Sequence, residues 1–325
     1  MKKVRVEDAV GQTLFHDIAR IVIGQVKDTP FRRGQVIREE DIPALLKLGK
    51  EHVYVMETGD ASLLHEEDVA RALYALCDNP SIYGSDVREG KIEAFAAHDG
   101  MLSIDVDRIN QINGIGQLTI VTKYTQTAVK KGDKLAGMRC IPLVLDKEEI
   151  EAANAIGAGH PLIKVLPFVR KKIGLVTTGS EVASGRIKDA FTPIIEERIQ
   201  SYGMQIIAHE TVTDDTNLIV DAIHRVKKAG ADMVFCTGGM SVDPDDLTPG
   251  AIARVADKVV TYGLPVLPGS MCCIAYMADG TPLVGWPGGV LFSQPTAFDK
   301  LLPRLATDDV ITKADCISMG HGGLL

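Results

Sequence analysis

Between residues 172 and 262 the apolar positions switch between two spacings. Lys172–Thr178 is a short apolar run that stops at Gly179, which predicts a buried strand. Over residues 190–202, Phe191, Ile194, Ile195 and Ile199 share one helical face, with Pro193 suited to a first turn and Gly203 to a stop. Gln205–Val212 predicts a second strand. Asp214 or Asp215 then opens a helix carrying Leu218, Ile219, Ala222, Ile223 and Val226, and its basic last turn, Lys227-Lys228, runs into Gly230. Asp232–Cys236 is a third strand, and Thr248-Pro249, a capping hydroxyl followed by proline, starts another helix. Strand, helix, strand, helix, strand predicts an α/β domain over residues 171–307 with a doubly wound, mostly parallel sheet.

Downstream the pattern shortens. Val259–Leu267, Cys272–Met277 and Pro282–Trp286 predict strands, with Asp279-Gly280 a hairpin turn between the last two. A final helix is expected over Pro295–Leu305. The polar tail, residues 308–325, ends in His321–Leu325, read as loose. Residues 1–165 predict a β-rich α+β region with a division near residues 60 and 61. Val6–Ile23 reads as strand-like, Glu39–Gly49 as a short helix with a glycine stop, and His52–Met56 as a strand. Residues 64–77 read as a helix, residues 92–145 as several strands, and Asn154–Pro161 as a linker.

The 325 residues are 46% hydrophobic and 24% charged, which fits two or three ordinary packed domains. A net charge of −8 without a Lys/Arg-rich run argues against a nucleic-acid partner. No apolar stretch reaches the roughly 20 residues needed to span a bilayer. Met1–Glu7 starts basic but has no apolar segment after it, so it does not read as a signal peptide. The six cysteines form no CxxC pair and read as reduced, buried thiols, so the expected compartment is cytoplasmic.

Chemistry gathers at the ends of the three central strands. Thr237-Gly238-Gly239 follows the third strand, where ligands bind in open α/β sheets. Glycines there let backbone N–H groups approach a phosphate. Taken alone, a tight structural turn explains the pair equally well. Asp243, Asp245 and Asp246 follow within four residues. Carboxylates beside a phosphate need a cation between them, and Mg²⁺ takes a carboxylate or two plus phosphate oxygens. Asp243 and Asp245 read first as a solvated loop, and Asp246, two residues before Thr248, is better placed. Asp214-Asp215 is more acid than one helix cap requires, and Thr178–Glu181 is a third polar loop. No nucleophile stands out. His209 and His224 read as strand-end or helix-surface residues, and Met240 as packing.

These residues resemble a known family. Gly174–Leu305, about 40% of the chain, is similar to the molybdopterin-binding domain of molybdenum-cofactor biosynthesis proteins. Four motifs carry the resemblance in the family's order. They are Thr178–Val182, Gly185–Asp189, Thr211–Asp215, and Thr237–Val242 with Asp246–Pro249. The resemblance implies molybdopterin as ligand, Mg²⁺ held by Asp215 and Asp246 as the catalytic pair, and ATP or molybdate as co-substrate. It implies a phosphate cradle at Thr237, Gly238 and Gly239 and pterin contacts from Ser180 and Glu181. Thr178, Gly179 and Ser241 complete the expected cofactor-binding set. It also implies a homodimer or homotrimer.

Asp246–Pro249 is closer to the adenylyltransferase branch, and Gly238–Val242 to the molybdotransferase branch, as are Pro268-Gly269 and Gly285–Gly289. The Asp-Gly-Tyr-Ala segment of the molybdotransferases is absent, and Ala97–Met101 lies in another context. Three readings stay open: a transferase acting on molybdopterin, a binding or sensing module without turnover, and a nucleotide pyrophosphatase related to the competence-damage-inducible family.

Overall fold

The computed structural model describes residues 1–22, 24, 26–57, 62–291 and 294–325. The chain forms two compact units, residues 1–125 with 129–165, and residues 126–128 with 166–325. Among the described residues no helix is long and apolar enough to cross a membrane.

In the first unit, Lys2–Arg5 pairs antiparallel with His52–Val55, and Ile18–Val22 with Val26–Phe31. The expected helix before Gly49 spans Ile42–Lys47, and Gly49 adopts φ +75°. Val6–Ile23 is not one strand. Val6–Asp8 is a 3₁₀ turn, and regular strand begins only at Ile18; Ile23 lies outside the described residues. The buried positions Val6, Ala9, Leu14 and Ile18 explain this, because their spacing is not the alternation a half-buried strand needs. The expected division near residues 60 and 61 also falls outside the described residues. Two separate buried clusters flank it, one within residues 6–55 and one within residues 69–165.

A four-stranded sheet occupies the second of these clusters, in the order Ile82–Gly84, Lys91–Ala96, Lys134–Cys140, Leu118–Thr122. Helix Glu66–Ala75 lies within the expected 64–77. Two helices were hidden by the β-branched composition and the glycines. Val106–Asn113 is capped by Asp105, whose carboxylate accepts the Arg108 N–H at 3.2 Å. Lys147–Gly157 runs through the first half of the expected linker. A Cβ at Gly157 would lie 2.7 Å from Leu76 Cδ2, so this glycine marks a close helix contact and not a flexible joint.

In the second unit the strands are β1 (Lys172–Thr178), β2 (Gln205–Val212), β3 (Met233–Thr237), β4 (Lys258–Tyr262), β5 (Cys273–Tyr276) and β6 (Pro282–Trp286). Their order in the sheet is β2-β1-β3-β6-β5-β4. The first four are mutually parallel, and β5 runs antiparallel to both its neighbours, β6 and β4, so the α/β sheet is mixed. The helices are α1 (Ser180–Ala183), α2 (Phe191–Gln200), α3 (Thr216–Lys228), α4 (Thr248–Val255), α5 (Ala297–Ala306) and α6 (Lys313–Ser318).

Alternation along the central strands divides the core. Ile173, Leu175, Met233 and Phe235 join a cluster with α2 and α5, while Val176, Val234 and Cys236 join one with α3 and α4. Each fully buried Ile, Leu or Phe contributes about 1.5–3 kcal/mol. Gly174 lets α3 approach β1 closely, since a Cβ there would sit 2.8 Å from Val226 Cβ.

The tail is not loose. Ile311, Cys316 and Met319 are buried, and Thr312 caps α6 in a reciprocal pair with Asp315. The Leu267 N–H donates to Gly323 O at 2.7 Å, and the Leu325 N–H to Leu267 O at 2.9 Å. Buried Arg304 binds Asp309 at 2.6 Å and Asp315 at 3.2 Å. A polar composition concealed apolar anchors spaced for a short amphipathic helix. All six cysteines are free and buried, as expected from their apolar surroundings. Burial pushes the Cys77 thiol up to about 12, and the Cys140 and Cys273 thiols up to about 11.

Candidate functional site

Parallel pairing of β2, β1 and β3 brings three strand ends to one edge of the sheet, and the three polar loops leave from there. Each loop runs toward a helix start, and helix N-termini present unpaired N–H groups. Side chains then tie the loops together. The Asp214 carboxylate accepts the Ser180 N–H at 2.8 Å and the Ser180 hydroxyl at 3.1 Å, joining the β2 loop to the β1 loop. The Thr248 hydroxyl donates to Gly238 O at 2.9 Å and lies 3.1 Å from Thr178 Oγ1, joining the β3 loop to the β1 loop. Contrary to the sequence expectation, Thr248 therefore does not cap α4. It stands inside the first turn, and its hydroxyl returns to the glycine turn.

The glycines are required by space as well as by backbone. Gly238 and Gly239 adopt φ +85° and +52°. A Cβ on Gly238 would lie 2.1 Å from Thr178 O. One on Gly239 would meet Thr248 Oγ1 at 3.0 Å, Thr178 Oγ1 at 3.2 Å and Asp214 Oδ1 at 3.6 Å. The turn thus has room for nothing larger than hydrogen on those faces. Thr237 is fully buried beneath it. Met240 packs over Gly285, where a Cβ would come within 2.5 Å of its sulfur, in keeping with a packing role.

The two aspartates of the β2 loop divide the work. Asp215 Oδ1 accepts the N–H groups of Asn217 and Leu218 at 2.8 and 3.0 Å, so its carboxylate is turned to the α3 cap. Asp214 faces the glycine turn. Sequence showed one aspartate too many for a cap but not which one the cap would take. Asp246 is half-buried, and its Oδ2 accepts the Asp243 N–H at 3.1 Å, closing the acidic loop on itself. Asp243, Asp245, Ser241 and Glu181 are exposed. The Tyr262 hydroxyl sits 3.0 Å from Met240 O and 2.9 Å from Ser241 O, so β4 supports the loop from below. Burial, with the Asp246 charge nearby, raises that phenol above its ordinary range. Tyr262 and Thr248 carried no such signal in the sequence, because both contacts are made between separate strands and loops.

His209 also takes a definite place. Its Nε2 lies 2.9 Å from the buried Thr177 Oγ1 and 3.7 Å from Asp189 Oδ2. Among the described residues no three His, Cys, Asp or Glu side chains converge as a ready metal site. A hard cation held at this edge would draw its remaining ligands from a bound phosphate and water, as Mg²⁺ commonly does. Asp214 and Asp246 supply hard oxygen donors in the adjoining loops.

Residues 174–307 match the family model described as "Probable molybdopterin binding domain". Residues 3–57 match one described as "Domain of unknown function (DUF8806)". The chain is 26% identical over 179 residues to a molybdopterin molybdenumtransferase of Synechococcus elongatus, covering 52% of this chain and 42% of that protein. It is 37% identical over 84 residues to a CinA-like protein of Desulfosudis oleivorans, covering 26% of this chain and 20% of that protein. The chain thus spans less than half the length of these two relatives. Among solved structures, the molybdopterin biosynthesis enzyme MoaB of Thermus thermophilus is 22% identical with a TM-score of 0.37, covering 42% of this chain and 91% of that one.

Proposed function

Residues 174–307 belong to the molybdopterin-binding domain family, and from that premise we propose that the chain binds molybdopterin at the carboxyl edge of β1, β2 and β3 and transfers an adenylyl group or molybdate to it. The observation that carries the reading is the tied triplet of loops around Gly238-Gly239, which gathers the glycine turn, the Thr178 and Thr248 hydroxyls and Asp214 at one edge of the sheet. Thr237, Gly238 and Gly239 hold the phosphate. Thr178, Gly179, Ser180, Glu181 and Ser241 border the pterin side. Asp214 holds Ser180 in place by accepting its N–H and hydroxyl. Asp246 and Asp215 are the residues assigned to Mg²⁺, with Asp214 beside them. A bound Mg²⁺ would neutralise charge on the transferring phosphate; the chain's own part is positioning.

A second reading, a binding module without turnover, is favoured by one contact: the Asp215 carboxylate is already engaged by two α3 N–H groups. Titration calorimetry with molybdopterin, with and without Mg²⁺, and a pyrophosphate-release assay with ATP separate the two. The transferase reading expects binding and Mg²⁺-dependent turnover, both of them altered in Asp246→Asn. Binding without turnover of ATP or molybdate selects the second reading. Absence of molybdopterin binding overturns both.

A further inference from the structure

A cavity of about 700 Å³ in the first unit lies in a part of the chain to which the proposed molybdopterin site contributes no residue. That volume is within the range of small-molecule sites. Its wall includes Lys27, Arg32, Arg33 and Arg88. Two segments far apart in sequence form facing parts of the wall, and one carboxylate joins them. Asp17 accepts the Arg33 N–H at 2.9 Å and the Glu89 N–H at 3.2 Å. The second segment is a tight turn in which Arg88 and Lys91 exchange both backbone hydrogen bonds at 3.0 Å. Glu89 and Gly90 sit at its tip with φ +52° and +65°. A Cβ at Gly90 would lie 2.3 Å from Glu66 Oε2, so the turn rests directly on a buried carboxyl group. A non-glycine residue held at positive φ beside a cavity is the kind of backbone outlier that accompanies binding sites.

Charge pairing in the wall is incomplete in an informative way. Most lining acids are occupied. Asp17 serves the two N–H groups, Glu67 binds Arg33 and Arg71, Asp28 binds Arg20, and Glu93 binds Lys91 and Lys134. Among the described residues, the side chains of Lys27, Arg32 and Arg88 have no ion-pair or hydrogen-bond partner. The lining acids left without a side-chain partner are Asp86 and Glu89. Guanidinium groups stay charged and favour the forked oxygens of phosphate, whereas free carboxylates accept from N–H groups.

We propose that this cavity is a second small-molecule site, and that it takes a phosphate ester carrying N–H donors, as a purine nucleotide does. The phosphate lies against Arg32 and Arg88, and the N–H edge against Asp86 or Glu89. The inference is independent of the molybdopterin reading, because it concerns other residues and a different unit.

Hydrogen–deuterium exchange of the full chain with GMP, read by peptide, tests it. GMP is expected to protect residues 85–91 in the wild type. Arg32→Ala/Arg88→Ala is expected to weaken that protection at least ~10-fold in GMP concentration for each guanidinium removed, with Arg32→Lys/Arg88→Lys intermediate. Guanosine, which lacks the phosphate, is expected to protect at least ~10-fold less well. Peptides over 237–247 show in the same experiment whether GMP also reaches the other site, and the molybdopterin reading is decided separately by the calorimetry above. The proposal is overturned if residues 85–91 are not protected, if guanosine or matched sodium chloride protects equally, or if a double alanine variant with wild-type thermal unfolding responds to GMP as the wild type does.

Discussion

Replacing Gly238 by alanine places a methyl group 2.1 Å from Thr178 O and 2.8 Å from Thr178 Oγ1. The nearer atom is backbone, in the last residue of β1, so it cannot swing aside as a flexible side chain would. Two costs combine. Holding an L-residue at φ +85° costs about 1–2 kcal/mol. Relieving the overlap costs a further ~1–3 kcal/mol, the usual range for overpacking. The total is about 2–5 kcal/mol.

Gly263→Ala is the matched control. Gly263 also has positive φ, +97°, but nothing lies within 4 Å of its added Cβ, so only the backbone cost of about 1–2 kcal/mol applies. At roughly 2–4 °C per kcal/mol for a unit of this size, Gly238→Ala lowers the unfolding temperature of the second unit by about 10 °C. The control lowers it by about 4 °C. Differential scanning calorimetry of the three proteins measures both shifts. The reasoning fails if Gly238→Ala unfolds within ~2 °C of the Gly263→Ala control, because the contact with Thr178 would then contribute nothing.

Thr248→Val removes the hydroxyl between Gly238 O and Thr178 Oγ1 while keeping the shape, and is expected to cost about 1–3 kcal/mol in urea unfolding; an unchanged midpoint contradicts the proposed tie. Arg304→Met leaves Asp309 and Asp315 without their buried cation and is expected to destabilise the second unit by about 3–5 kcal/mol. Limited proteolysis should then cut first within residues 308–325, and an unchanged digestion pattern counts against the docked tail. Asp279 is held down to about 2 by a hydrogen bond from Lys227, with Thr281 adding to it. A depressed carboxylate stabilises above its unfolded value, near 3.8, and that contribution is lost as pH falls toward about 2. Because the pair is half exposed the effect is small, under ~1 kcal/mol, and Asp279→Asn should flatten the urea midpoint between pH 4 and 2 if the assignment is right.

The sequence made the centre of the second unit readable because each element there carries its own local signal. β2 and β6 fall on the expected residues, since alternation and turn glycines delimit them. The helix over Lys147–Gly157 was not readable, because its one glycine, Gly157, serves packing against Leu76 and looks like part of a linker when read with Gly159. The tail failed for a related reason: three buried anchors among polar residues carry weight only when a cavity exists to receive them. At the candidate site the glycine turn and the acidic pair were legible as residue types. Their division of labour was not. Whether Asp214 or Asp215 takes the cap, and where the Thr248 hydroxyl turns, depends on how neighbouring loops meet, and no spacing along one segment encodes that.

The six buried thiols have a practical consequence for anyone wishing to watch this molecule move. With burial holding each of them protonated well above neutral pH, the folded chain offers maleimide reagents almost no native thiolate. A single cysteine engineered at an exposed position such as Val242, which is 76% exposed on the acidic loop, would therefore carry a fluorophore selectively in the otherwise unaltered protein. The same silence works as a clock: labelling of the native thiols, followed by mass spectrometry in denaturant, would report when each half of the core opens.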